Sequence, residues 1–325
     1  MKLPNRRQFL HLAASTAALP FAPVAARAQA YPTRPVRVIV GFPAGNASDI
    51  IARVVAQALS DRLGQQFVVE NRPGATGTIA TGVVVKAAPD GYSLLMEVVT
   101  ASVLSSAFYP NLNYDFMRDI TPTARLGEGA YVMVVNSSVP ADSLPQFIAY
   151  AKANPGKVNM ASAGSGGATH VFGELFKLMA GIEILHVPYR GSFLSDLLGG
   201  QVQLVFGPIS QLLEYIRADK LRALAVTTAN RQAVLPDVPA VQEFLPGYEA
   251  STWYGIGAPA GTPSEIVGTL NREINAALTD PEVKTRLAAL GIVPMPATPS
   301  EFGTFIAAET EKWTKVIRAG NIKLD

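Results

Sequence analysis

Between Val36 and Val98 three short apolar runs, VRVIV, FVVE and YSLLMEV, alternate with two stretches whose apolar residues recur every third or fourth position. Runs of that length read as strands and the periodic stretches as helices. A β-α-β-α-β order can bury its apolar faces only as a parallel sheet covered by helices, which makes this part of the chain α/β. The spacing predicts strands over Val36–Val40, Phe67–Glu70 and Tyr92–Val98, and helices over 50–63, ending at Gly64, and 77–88. Turns are read at Asn71-Arg72-Pro73-Gly74 and Pro89-Asp90-Gly91.

The pattern repeats from Tyr131. Strands are expected at YVMVV, 158–161, ILHVPY, VQLVF and 221–227, with helices over 144–153, 170–180 and 211–218 and a short helical turn over 195–198. A further strand over 253–258 and helices over 264–279, 281–290 and 301–318 close the chain. Crossings between two sheets are placed at Leu126–Ala130 (LGEGA) and Tyr248–Trp253, so that the C-terminal part returns to the first domain. The expected lobes are 31–128 plus 253–325, and 129–252. Two crossings leave room for a hinge.

Residues 1–30 read as an export signal: Lys2, Arg6 and Arg7 lead into a weakly apolar run that ends in overlapping A-x-A sites at 26–30. Arg6-Arg7-Gln8-Phe9-Leu10 resembles the twin-arginine motif, with an ordinary secretory n-region as the alternative. Without that segment, 23 Lys and Arg stand against 25 Asp and Glu, a net charge of −2 that offers no basic face to nucleic acid. There is no cysteine, hence no disulfide, thiolate chemistry or lipid-anchored cysteine, and a free, monomeric periplasmic protein is expected.

Two loops share one design. Gly41-Phe42-Pro43-Ala44-Gly45-Asn46-Ala47-Ser48-Asp49 and 161–170, ASAGSGGATH, each lie between a strand and a helix and carry glycine with hydroxyl or amide side chains. At the carboxyl ends of strands such loops expose backbone N–H groups at a helix N-terminus, which suits an anion. Ser48, Ser165, Thr169 and Asn46 add donors. Each loop alone also reads as ordinary helix capping; a matching pair, one per lobe, favours a cleft. Tyr131, Phe206, Trp253 and Tyr254 are candidates for the cleft wall or for the core.

Catalytic motifs are weak. His170 and His186 lack metal-ligand spacing, Ala161-Ser162-Ala163-Gly164 lacks the first glycine of G-x-S-x-G, and GSGGAT lacks the last glycine of a dinucleotide loop. No metal or cofactor is expected. A serine hydrolase would have to use Ser162 or Ser165 with His170.

VRVIVGFPAGNASD, ENRPGA, PDGY, HVPYRG, DLLGGQVQLVF and LPDVP, in this order, resemble the Bug proteins, periplasmic solute receptors of tripartite tricarboxylate transporters. The resemblance covers nearly the whole chain after residue 30. It implies a two-lobed periplasmic binding protein, a flytrap of two open α/β domains, that closes on a small organic carboxylate and delivers it to membrane subunits. A sensory receptor signalling through a membrane partner is the alternative with the same shape. Carried over residue by residue, the resemblance implies ligand contacts from Phe42, Pro43, Ala44, Gly45, Asn46, Ser48 and Asp49 in the first loop. The second loop would supply Ser162, Gly164, Ser165, Gly166, Thr169 and His170, and the VPYRG turn Tyr189, Arg190 and Gly191. Asp196 would receive an ammonium group or cap a helix. Asn46 stands where relatives commonly carry glycine, and Arg190 where they commonly carry lysine.

Overall fold

The computed structural model describes residues 31–104, 108, 112–189 and 192–322. The expected export signal lies outside these residues. From Arg34 onward the chain builds two sheets. The first is laid down by β1 (Val36–Val40), α1 (Ala47–Leu63), β2 (Phe67–Asn71), α2 (Thr78–Val85), β3 (Ser93–Val98), a π-helical turn (Thr100–Leu104), α3 (Phe116–Asp119) and β4 (Ile120–Gly129). The second contains β5 (Tyr131–Asn136), α4 (Leu144–Ala153), β6 (Asn159–Ser162), α5 (Ala168–Ala180), β7 (Leu185–Pro188), α6 (Leu194–Leu198), β8 (Leu204–Pro208), α7 (Ile209–Arg217) and β9 (Leu221–Val226). The chain then adds β10 (Thr252–Pro259), α8 (Ser264–Thr279), α9 (Pro281–Ala289), β11 (Ile292–Pro294) and α10 (Pro299–Ala319).

Strand order is β11-β4-β10-β3-β1-β2 in the first sheet and β7-β6-β8-β5-β9 in the second. β1 pairs in parallel with β2 and β3, as the buried apolar run VRVIV requires, and β10 enters antiparallel between β3 and β4. In the second sheet β6 is parallel to β7 and β8, while β5 runs antiparallel to β8 and β9. Each sheet buries apolar side chains against helices, giving a two-lobed α/β fold.

The chain passes from the first sheet to the second at Ala130 alone, between β4 and β5. LGEGA is therefore mostly strand, with the crossing at its last residue, Ala130. Gly127 is needed because β11 lies against it: a Cβ there would stand 2.5 Å from the Val293 carbonyl oxygen. The return runs from Val226 to Thr252, and the two crossings are bonded to each other. Thr227 N–H donates to the Tyr131 carbonyl at 2.9 Å, and Ala250 N–H donates to the Thr227 carbonyl at 2.9 Å.

Helix α10 packs on the first sheet and on α5. Phe302 lies edge-on to Trp253 of β10 at 5.7 Å, and Trp313 stacks on Phe172 of α5 at 5.2 Å. Phe206 and Trp253, candidates for either wall or core, are both wholly buried in the core.

One buried group opposes the fold. Glu97 of β3 is 0% exposed, and neither of its carboxyl oxygens meets a hydrogen-bond partner among the described residues. Gly257 makes the room: a Cβ there would stand 2.1 Å from Glu97 Oε1. Burial pushes this carboxyl well above the ordinary 4.5. The native state holds the proton that the unfolded chain releases, so the contribution of Glu97 to stability is greatest below about pH 4.5 and falls as pH rises from there. Glu97→Met, which keeps the volume, is expected to flatten that fall and to raise stability at pH 8 by about 1–3 kcal/mol. Urea denaturation of both proteins across the pH range measures this; parallel curves would contradict a protonated Glu97.

Candidate functional site

β1 ends on an apolar run and α1 begins six residues later, with Asn46 as N-cap. Asn46 Oδ1 accepts from Ser48 N–H at 2.9 Å and from the Ser48 hydroxyl at 3.0 Å, which leaves the Asn46 amide NH2 as the outward donor. Behind the loop, Asp49 is 2% exposed and accepts from Gly45 N–H at 2.9 Å, Asn71 Nδ2 at 3.0 Å and Arg53 Nε at 3.0 Å. Burial pushes the Asp49 carboxyl up, but the hydrogen bonds from Arg53, Gly45 and Asn71 outweigh it and leave it below its ordinary value. Asn71 also donates to the Phe42 carbonyl at 2.9 Å. Asp49 is thus turned into the protein, and Asn71, which the sequence shows only as part of a turn, locks the loop.

The second loop leaves β6 at Ser162 and enters α5 through Gly167, an N-cap without a side-chain bond. Thr169 Oγ1 accepts from Ala163 N–H at 2.9 Å, leaving its own proton to donate. Gly164 and Gly166 have φ of +112° and +75°, conformations that exclude most side chains. Gly166 N–H donates to His170 Nδ1 at 3.0 Å. Ser162 Oγ stands 2.6 Å from His186 Nε2 and 3.1 Å from the Gly164 carbonyl.

Both loops open on one cavity of about 420 Å³ between the sheets. Phe42, Asn46, Ala47 and Ser48 line it from the first loop, and Ala163, Gly167, Ala168 and Thr169 from the second. The first turns of α1 and α5 therefore meet there, and first-turn N–H groups lack partners within their helix. Gly129, Ala130, Tyr131, Thr252 and Tyr254 form the floor where the chain crosses. Burial pushes the phenols of Tyr131 and Tyr254 upward, so both remain O–H donors. No Asp, Glu, Lys, Arg or His lines the cavity among the described residues.

Of the residues singled out in the sequence, Phe42, Asn46, Ser48 and Thr169 line the cavity, as do Tyr131 and Tyr254. Pro43, Ala44 and Gly45 sit at the exposed tip of the first loop, and Asp49, Ser162, Gly164, Ser165, Gly166 and His170 stand outside the lining. Tyr189 donates its hydroxyl to Asp196 at 2.7 Å. Asp196 caps no helix: α6 starts after Phe193, without a side-chain cap. Arg190 and Gly191 lie outside the described residues.

Two walls went unread in the sequence. One is the start of α7, with Pro208, Ser210 and Gln211; the other is Leu290, Gly291 and Ile292 at the start of β11. The helix begins at Ile209, two residues before the expected start, because Pro208 at N-cap opens it. The signal was present: VFGPIS is a third strand, turn and helix junction.

Together the two-lobed fold and the cleft at the strand ends define a solute-binding protein of the periplasmic type. Residues 51–322 match the tripartite tricarboxylate transporter family receptor, TctC, and the chain belongs to that family. It is 40% identical over 307 residues, 93% of this chain and 94% of the other, to protein BugT of Bordetella pertussis. Among solved structures it is similar to Rpa4515 of R. palustris with adipate (TM-score 0.77, 35% identity, covering 90% of this chain and 99% of that one). It is similar also to MatC of Rhodopseudomonas palustris with bound malate (TM-score 0.73, 32% identity, covering 88% and 100%). The family is one of solute receptors, not enzymes. Of the two serines that a hydrolase would have to use, Ser162 is 0% exposed and meets His186, not His170. No helix among the described residues is long and apolar enough to cross a membrane.

The loop lock is testable without a ligand. Asn71→Ala removes the donors to Phe42 and Asp49 and should cost about 1–3 kcal/mol in urea denaturation. Arg72→Ala, beside it in an exposed pair with Glu70, should cost under about 1 kcal/mol. Equal effects would show that Asn71 does not lock the loop.

Proposed function

We propose that this protein is a periplasmic receptor that reversibly binds a small organic carboxylate between its lobes and presents it to the membrane subunits of a tripartite transporter. The observation that carries the reading is a cavity with no charged side chain in its lining among the described residues, into which two helix N-termini and the donors Asn46, Thr169, Tyr131 and Tyr254 open. Such a cavity suits an anion held by backbone dipoles and neutral donors. Hydrogen bonds to a charged group net roughly 1.5–3 kcal/mol each, so four or five offset the costs of association and leave micromolar affinity, about 8 kcal/mol. The adipate and malate held by the two similar structures are carboxylates of a size that fits the reading.

Lobe closure follows in the same reading. The lobes are 31–128 with 253–325, and 129–252, and they move about Ala130 and the 227–251 return. The donors of the first loop belong to one lobe and those of the second to the other, so a carboxylate between them draws the lobes together and expels water.

A thermal-shift screen of adipate, malate and other di-, tri-, amino and aromatic acids, followed by calorimetry on the hits, tests this. Asn46→Asp separates capping from binding, since Asp caps a helix equally well but replaces the NH2 donors by a negative charge. Melting temperature without ligand should stay within about 2 °C, while affinity for the acid should fall at least about tenfold. An unchanged affinity would remove Asn46 from the site, and silence across the whole screen would overturn the carboxylate reading. Co-purification with the transporter's membrane subunits, strengthened by the acid, tests the partner.

A further inference from the structure

The second loop rests on two stacked imidazoles that lie outside the cavity lining. The rings of His170 on α5 and His186 on β7 are 3.5 Å apart and 6° from parallel. Each reaches a different part of the loop. His170 Nδ1 accepts Gly166 N–H at 3.0 Å, and His186 Nε2 meets Ser162 Oγ at 2.6 Å.

The bond from Gly166 fixes one proton. Nδ1 must carry a lone pair to accept it, so the ring hydrogen sits on Nε2, which faces Glu174 Oε1 at 3.6 Å. Glu174 in turn takes Lys177 Nζ at 2.7 Å. Burial pushes the Glu174 carboxyl up, but His170 and Lys177 outweigh it and leave it lowered and ionised. On the other side, the Ser162 hydroxyl has a single proton; directed at the Gly164 carbonyl, it leaves Oγ to accept from His186 Nε2–H.

We infer that His170, backed by His186, is a positioning residue for the second ligand loop, and that the loop holds its shape only while His170 Nδ1 is unprotonated. The inference rests on the carboxylate reading only in saying what the loop holds. A proton on Nδ1 turns an acceptor into a donor pointed at another donor, so the Gly166 N–H must turn away and its φ of +75° is released. Two charges cannot share rings stacked this closely without repulsion.

The groups that face the stack bear on the sign. Among the described residues helix α5 itself contributes Glu174 with Lys177, β7 contributes His186, and β6 contributes the Ser162 hydroxyl. α10 meets Glu174 through Gly320, which brings no side chain. Glu174 is the anion that would welcome the protonated ring.

Amide spectra of the full chain labelled with 15N-glycine, followed between about pH 5 and pH 8, read the loop directly, over the range in which histidine rings change charge. The Gly166 amide is expected to shift sigmoidally in the natural protein. In His170→Asn, whose Oδ1 replaces Nδ1 as an acceptor that cannot titrate there, it should hold its high-pH position throughout. A Gly166 amide that does not move in the natural protein, or moves equally in His170→Asn, overturns the assignment. Adding malate and adipate to the same samples separates the two readings. A titrating Gly166 with no response to any acid would sink the carboxylate reading and still support the positioning role.

Discussion

The bond on which the first half of the cleft depends is the one least visible from it, the buried carboxylate of Asp49. It gathers a backbone N–H from Gly45, an amide from Asn71 and the guanidinium of Arg53, and so fixes a glycine loop that has few contacts of its own. Because Arg53 neutralises it, Asp49 holds the loop without placing a negative field behind an anion site. The second loop is fastened by other means, imidazole nitrogens and hydroxyls. Two loops of like shape thus differ in what can loosen them: the first holds wherever Asp49 is ionised, whereas the second depends on the proton state of a histidine ring.

Among the described residues three ties between the two lobes stand out. Two are the crossings, where Thr227 bonds to Tyr131 and Ala250 and where Glu128 accepts from Arg125 at 3.1 Å and from the Ser251 hydroxyl at 3.4 Å. The third is α10, whose Phe302 packs on the first sheet and whose Trp313 packs on α5. Backbone crossings bend easily, but a helix with aromatic anchors at both ends does not. In the proposed closure the lobes would turn about an edge that includes α10, with the cleft mouth moving furthest.

Much of this was legible in the sequence, and the failures have physical causes. Apolar runs alternating with helical periodicity disclosed the α/β order, because burial on both faces leaves a parallel strand few polar residues. The loops were legible because glycine beside Asn, Ser and Thr is costly inside an element and useful at a helix start. Strand β4 was hidden because its glycines answer to the close approach of β11, a contact with residues more than 160 positions away. Tyr189 paired with Asp196, and Ser162 with His186, are likewise products of the folded chain, which no local pattern encodes. Asn71 was readable only as a turn residue, since its partners Phe42 and Asp49 lie 29 and 22 positions away.

A cavity lining without charge among the described residues also bears, in the proposed function, on release. A lysine or arginine buried to meet the anion would be left desolvated and unpaired whenever the cleft emptied, a state that costs several kcal/mol. Neutral donors avoid that penalty, because water replaces a carboxylate oxygen on an N–H or O–H group at nearly no enthalpic loss. In the proposed function the emptied cleft then strands no desolvated charge, which favours exchange of the bound acid. Asn46 fits this logic. Where a glycine would leave only backbone, it closes the helix with its oxygen and offers its nitrogen to the cavity, adding a donor without adding a charge.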